Sequence, residues 1–460
     1  MIHVVATDFI QWLSMQISIH RQFFKYTFPT VLAMLVSGFY QVVDGIFIGR
    51  FVGADGLAGI NVAWPVIGSI LAIGMMVGVG TGALISIRQG QQDSKGAKQV
   101  LSTGLLLLAL LMPVIASALY WLSDDFLRWQ GAEERVLELG LQYLEVLVLA
   151  CVFTLGSIAM PFLLRNDNSP SLATSLMIAG ALLNILFDYV FIAFLGWELT
   201  GAAIATGLAQ MFVSLVGVFY FFSHKATLRL RLPEFSPKLY LAPKIVSIGF
   251  ASFFMYAYGA FMIAVHNSLF SHYGDQMVIG AYAILGYIVT VYYLIAEGIA
   301  NGMQPLVSYN HGANHQENVR KLLKMAMIST VAIGLGSVCL LNAFPKEFVS
   351  VFNHTSALLI ENAIIGIRLH LFALAFDGFL VVVAAYYQAI NQGSKAMFVT
   401  VGNMLIQLPF LYIMPKLIGM TGIWIAYPLS NITLSLFVVF MLAKDVRDDR
   451  TRRKEQFLSH

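Results

Sequence analysis

The residues that could do chemistry in this chain are ionisable or hydroxyl-bearing groups stranded in apolar surroundings. Asp44 is the single ionisable group in FPTVLAMLVSGFYQVVDGIFIG, residues 28–49. LLNILFDYVF sets Asn184 and Asp188 four residues apart, hence on one face of a helix. Tyr143, Thr206, Glu297 in YYLIAEGIANGM and Asp377 in LFALAFDGFLVVVAAYYQA sit in similar settings. An ionisable group in a membrane helix costs several kcal/mol, so each is expected to face the protein interior and handle an ion or proton. Two carboxylates brought together at low dielectric cannot both stay ionised and unpaired; one takes a proton, or a cation sits between them. An Asp, Asp, Asn, Thr set offers oxygen ligands, which suit Na⁺ as well as H⁺. The plainer reading makes the aspartates, Asn184 and Thr206 hydrogen-bonding ties between helices. His266 reads as a hydrogen-bonded interior histidine.

The elements that must position these groups follow from composition. Of 460 residues, 58% are hydrophobic and 11% charged, with a mean hydropathy of +0.78, which excludes a water-soluble globule. The chain is predicted to be an all-α polytopic membrane protein. Its net charge of +3 is too small to imply nucleic acid. Cys151 and Cys339 lie in apolar runs and read as small hydrophobes, with no disulfide, metal pair or cofactor motif indicated. The first 25 residues lack the pattern of a signal peptide and read as a cytoplasmic lead-in lying at the membrane interface.

Apolar runs bounded by charges or turn residues predict twelve spans. The first six lie near 23–49, 57–87, 97–122, 135–163, 170–194 and 200–222, the others near 242–271, 277–308, 319–344, 357–389, 396–415 and 421–443. A polar connection, SHKATLRLRLPEFSPK, separates the two sets. The expected organisation is thus a lobe over 1–222, a linker over 223–241, a lobe over 242–443 and a basic tail over 444–460. With the amino terminus inside, only Arg50, Arg128, Arg135, Lys346, Arg368 and Lys416 remain outside, while Arg165 joins the inner segments. Both termini are therefore expected in the cytoplasm. Arg368 snorkels outward, and Glu133, Glu134, Arg135 and Glu138 form an exposed charged helix start.

An internal repeat supports the division. The segment beginning at Val52 matches the one beginning at Gly274 without a gap, bringing Gly90 onto Gly312, and LTGAAIAT at 199–206 matches MTGIWIAY at 420–427. Six helices per repeat put both halves in the same orientation, with a pseudo-two-fold axis along the membrane normal and a transporter-like cavity between two lobes. Asp44 lies six residues before Arg50 and Asp188 ten before Glu198, so both carboxylates fall in the outer half, and Thr206 and Tyr143 share that depth.

The runs PTVLAMLVSGFYQVVDGIFIGRFVGADGLAGIN, LNILFDYVFI, LTGAAIAT and GMQPLVSYNHGAN together resemble the multidrug and toxic compound extrusion (MATE) transporters over nearly the whole chain. That resemblance implies a two-lobe, twelve-helix fold. It carries the family's cation-coupling aspartate of helix 1 onto Asp44, its helix 5 pair onto Asn184 and Asp188, its helix 6 threonine onto Thr206, and a helix 4 tyrosine onto Tyr143. Pro29 falls on a proline associated in some members with bending of helix 1; its other reading is a first-turn proline. Asp377 matches an acidic position on helix 10 that other branches use. Those branches pair it with a glutamate on helix 7, where this chain has His266 and Asn267, so the amino-terminal cluster is favoured for coupling. Glu297 and Asp377 are candidates for contact with substrate.

The function expected is secondary export of amphipathic, mostly cationic organic compounds in exchange for inward H⁺ or Na⁺, by a monomer in the lipid bilayer of a cell inner membrane. A lipid-linked oligosaccharide flippase of the same superfamily would need a more basic cavity. A major-facilitator antiporter would carry an acidic, arginine-rich loop where RQGQQDSKGAKQ stands. An intramembrane enzyme would need a nucleophile or metal motif, and neither HExxH nor GxSxG occurs. A non-transporting sensor would need an output domain.

Overall fold

A computed structural model describes residues 2–129, 134–274, 276–352 and 357–458. Among them there are helices and connections but no strand. In order these are α1 (Ile2–Phe51), α2 (Ala54–Gly90), α3 (Ser94–Trp129), α4 (Glu134–Asn166), α5 (Pro170–Asp188), α6 (Glu198–Phe222), α7 (Ala242–Tyr273), α8 (Gln276–Gly312), α9 (Gln316–Ala343), α10 (Pro345–Ser350), α11 (Ala357–His370), α12 (Leu374–Ala389), α13 (Gly393–Ile418) and α14 (Met420–Leu458). Eleven helices are long and apolar enough to cross a bilayer, and α11 with α12 supplies a twelfth, bent by 54°. The sequence reads that span as one continuous helix over 357–389. The helix instead stops at His370, whose imidazole Nδ1 donates to the Trp424 carbonyl oxygen at 2.9 Å, and restarts at Leu374.

The lead-in expected at the interface is continuous with the first span, since α1 begins at Ile2. Pro29 therefore lies inside a long helix, and the first-turn reading does not hold. Its missing N–H removes one rung of the helix ladder. Thr27 and Thr30 flank it and donate their hydroxyls to the carbonyls of Phe23 and Tyr26, one turn back, a bond that itself favours bending.

Close packing divides the chain into two units. The first comprises residues 1–260, 294–326 and 385–396. Its centre is α2, α4 and α6, with α1 laid along α5. Small residues allow this: a Cβ on Gly74 of α2 would crowd Ile158 of α4, and one on Gly78 would come within 2.9 Å of the Ala159 Cα, the packing mode of membrane helices. The same device binds the end of α2 to the end of α8. A Cβ on Gly90 would overlap the Tyr309 carbonyl, and one on Gly312 would overlap the Ile87 carbonyl. Since Gly90 and Gly312 are repeat mates, as are Ile87 and Tyr309, the crossing is reciprocal. The backbone carries the repeat elsewhere too. Gln92 and Asn314 have φ of 59° and 60°, and Asn168 and Asn391 have φ of 63° and 61°.

Within this unit the connection after α6 is tied down. Asp167 accepts hydrogen bonds from the Tyr220 hydroxyl and from the backbone N–H groups of Thr227 and Leu228, each at 2.8 Å. Arg135 pairs with Glu138 at 2.8 Å and with Glu198, while Glu133 lies outside the described residues.

The second unit comprises residues 261–293, 327–384 and 397–460. Here α11 packs on α14 around Trp424, which is buried against Phe270, His370 and Tyr282.

Candidate functional site

The five residues predicted as a cation cluster meet in the first unit. Asp188 is fully buried and ends α5; beyond it Tyr189–Phe194 continue as a π-helical turn, a distortion common at functional sites. Asp44, half-buried on α1, turns its carboxyl toward that of Asp188. Among the described residues Asp44 Oδ1 and both oxygens of Asp188 find no donor. Asn184 donates to the Thr206 hydroxyl at 3.3 Å, and the Tyr143 hydroxyl lies within reach of the same oxygen. The Oδ1 atom of Asn184 is buried without a partner and completes the set of uncommitted oxygens.

Sequence reasoning missed Tyr40, which lies one turn before Asp44 and feels both carboxylates. Its spacing from Asp44 was the available signal.

Glu297 is on α8, in the same unit, half-buried, accepting a hydrogen bond from Tyr256 of α7 at 2.8 Å. Arg165, counted among the basic residues of the inner segments, is buried. Its side chain is 1% exposed beneath α5, stacked over the Phe162 ring and touching Met177 Sδ, because the last turn of α4 is enclosed by the helices around it.

Asp377 belongs to the second unit, in the first turn of α12, where a helix start favours an anion. Tyr293 and Tyr427 both donate to its Oδ2 and Asn431 donates to its Oδ1 at 3.2 Å. Tyr427 is the repeat mate of Thr206, so the match of LTGAAIAT to MTGIWIAY held a signal for it. His370 stacks on Tyr427, and His266 donates Nδ1–H to the Met262 carbonyl at 2.8 Å, as expected of an interior histidine.

The MatE family model matches residues 29–190 and 248–413. The multidrug export protein MepA of Staphylococcus aureus strain MRSA252 is 26% identical over 408 residues, covering 88% of this chain and 89% of that one. A solved MATE transporter in complex with MaL6 superposes with a TM-score of 0.88 at 24% identity, covering 95% of this chain and 97% of the other. The MATE multidrug transporter DinF-BH, solved as a complex, gives 0.86 at 25% identity over 92% and 95%. With both halves of the chain matched and the two-lobe, twelve-helix fold shared, the protein belongs to the MatE family of membrane transporters, which are not enzymes.

Proposed function

We propose that this transporter exports amphipathic, mostly cationic organic compounds across a bacterial cytoplasmic membrane, as a monomer, in exchange for inward H⁺ or Na⁺. The observation that carries the proposal is the Asp44 and Asp188 pair, a half-buried and a fully buried carboxyl turned toward each other, with Asp44 Oδ1 and both Asp188 oxygens lacking a donor among the described residues. Such a pair is a cation trap by electrostatics alone. H⁺ is preferred over Na⁺, since close carboxyls readily share a proton. The likeness to MepA, a multidrug export protein, and to DinF-BH, a multidrug transporter, supports the substrate class.

In the cycle proposed, the outward-facing state takes up the cation at Asp44 and Asp188. Bending of α1 about Pro29 then displaces the drug, and the inward-facing state releases the cation. The cation must bind the two states unequally, because only differential affinity moves such an equilibrium. Glu297, half-buried with one oxygen committed to Tyr256, suits contact with a cationic substrate. Asp377, 2% exposed with donors on both oxygens, suits it less.

The test is ethidium export by purified protein in sealed vesicles, driven in turn by a pH gradient and by a Na⁺ gradient. Wild type should export on one gradient, and Asp44→Asn should abolish it. Full activity in Asp44→Asn would overturn the coupling site, and no export by wild type on either gradient would overturn the antiporter.

A further inference from the structure

The first unit reaches across the repeat: of the second half, residues up to 260, 294–326 and 385–396 pack with the whole of the first. It thereby joins the ends of α2 and α8 that lead into the lysine- and arginine-rich segments expected in the cytoplasm. Backbones meet there with no side chain between them. A Cβ on Gly80 of α2 would overlap the Ile245 carbonyl of α7, and one on Gly249 of α7 would overlap the Met76 carbonyl of α2, as Gly90 and Gly312 do where α2 crosses α8. Inside this seal runs a chain of neutral hydrogen bonds. Ser86 Oγ donates to Asn166 Oδ1 at 2.7 Å, Asn166 Nδ2 to Gln304 Oε1 at 3.1 Å, Gln304 Nε2 to Ser308 Oγ at 3.2 Å, and Ser308 Oγ to the Ala389 carbonyl at 2.9 Å. Each of these side chains is at most 3% exposed. The register that pairs Gly90 with Gly312 makes Ser86 and Ser308 mates, and the one that pairs Asn168 with Asn391 makes Asn166 and Ala389 mates. The symmetry breaks at the centre. The mate of Gln304 is Gly82, where an added Cβ would overlap the Asn166 amide, so one place is shared between the repeats and the Asn166 to Gln304 bond fills it.

We propose that the Asn166 and Gln304 amides are the latch of a gate: their bond holds the two repeats together at this face and parts when the face opens during transport. This deepens the export reading above and rests on it, since a face that never opens needs no latch. The chemistry suits the task. Two neutral amides that separate each take water in place of the other, so the bond contributes little net free energy and opening is cheap. A buried ion pair at the same place would leave two charges to be solvated each time. The amides do not titrate, so the latch yields to helix movement and not directly to pH. The plainer reading is a fixed tie between helices. A fixed tie stays closed throughout the cycle.

Reaction of N-ethylmaleimide with a thiol placed in the seal separates the two. Ala83, 0% exposed, lies between Gly80 and Ile87 on the same face of α2. In a Cys339→Ser background the buried native Cys151 of α4 remains as an internal control. The thiol of purified full-chain Ala83→Cys should react slowly. Adding Gln304→Leu or Asn166→Leu, each of which removes the bond with little change of volume, should speed it about fivefold. Both together should be no faster than either, because one bond is lost in every case. Asn166→Gln combined with Gln304→Asn keeps the summed side-chain length and should restore the slow rate. Cys151 should stay unmodified throughout. Unchanged labelling, effects that add in the double variant, or an equal rise at Cys151 would overturn the latch and leave the exporter intact. Should the leucine variants not fold, Ala83→Cys in sealed vesicles decides. Its labelling should rise severalfold while ethidium is exported, and labelling that stays slow during export would refute the gate. Absence of export by wild type on either gradient would instead overturn the export reading, and the inference with it.

Discussion

Thr206 and Asp188 stand in the same cluster, but their physics predicts different losses. The bond from Asn184 to Thr206 is neutral and long at 3.3 Å, so Thr206→Val should cost about 1 kcal/mol and slow export severalfold. Asp188→Asn removes half of the charge pair and should abolish export. Rates in vesicles at equal protein loading check both. A Thr206→Val variant as inactive as Asp188→Asn would mean that the hydroxyl itself ligates the driving ion. The carboxylates, Asn184 and Thr206 were legible in the chain because polar groups in apolar runs stand out. Tyr40 and Tyr427 were harder to read, since a tyrosine in a membrane helix is common and only its neighbours reveal a task.

Pro29 removes a backbone donor from the interior of α1, and α8 bears on the helix at that place. Gly298 and Gly302 of α8 seat against Val31 and Thr27, on either side of the proline; a Cβ on either glycine would come within 2.6 Å of the facing Cα. Pro29→Ala restores a backbone donor in a helix interior, where proline costs about 3 kcal/mol. It should raise the thermal midpoint and slow export; faster export would argue against bending as a step. Gly302→Val should overpack the contact, at about 1–3 kcal/mol, and lower the midpoint by several degrees. At the crossing of α2 and α8, Gly90→Ala and Gly312→Ala should each lower it, and the double variant should lose less than the two together, because both force apart the same crossing. Calorimetry of the purified variants measures each.

The chain runs from one repeat to the next through a connection whose first part is held by Asp167 and whose exposed part around Glu234 is tethered by an ion pair. Lys98 of α3 meets Glu234 at 2.6 Å, and that ammonium holds the Glu234 carboxyl below the usual carboxylate range. A depressed value means the folded form favours the ionised carboxylate. The tether is thus complete above the ordinary glutamate range near pH 4.3 and is lost as pH falls through the lowered value. A spin label at Ser236 should report a constant, restricted mobility from pH 8 to about pH 5 and a rise below about pH 4. In Glu234→Gln the mobility should be high throughout. A wild-type trace with no acid transition would show that the pair does not hold the loop.

Composition and apolar run length determined by themselves that this is an all-helical membrane protein with about twelve spans, because a bilayer demands about twenty apolar residues per helix and leaves little freedom. The repeat was readable because both halves obey the same packing, down to the glycines that cross at Gly90 and Gly312. Only tertiary structure decided which polar groups share an environment. Counting lysines and arginines placed Arg165 in an inner segment, and only the packed helices around α4 show that its side chain is buried. Hydropathy drew one span over 357–389, yet a bond from His370 to a carbonyl on α14 accompanies a break in it. Burial and hydrogen bonding between distant segments depend on where helices cross, and that is a property of the packed chain and not of any local window.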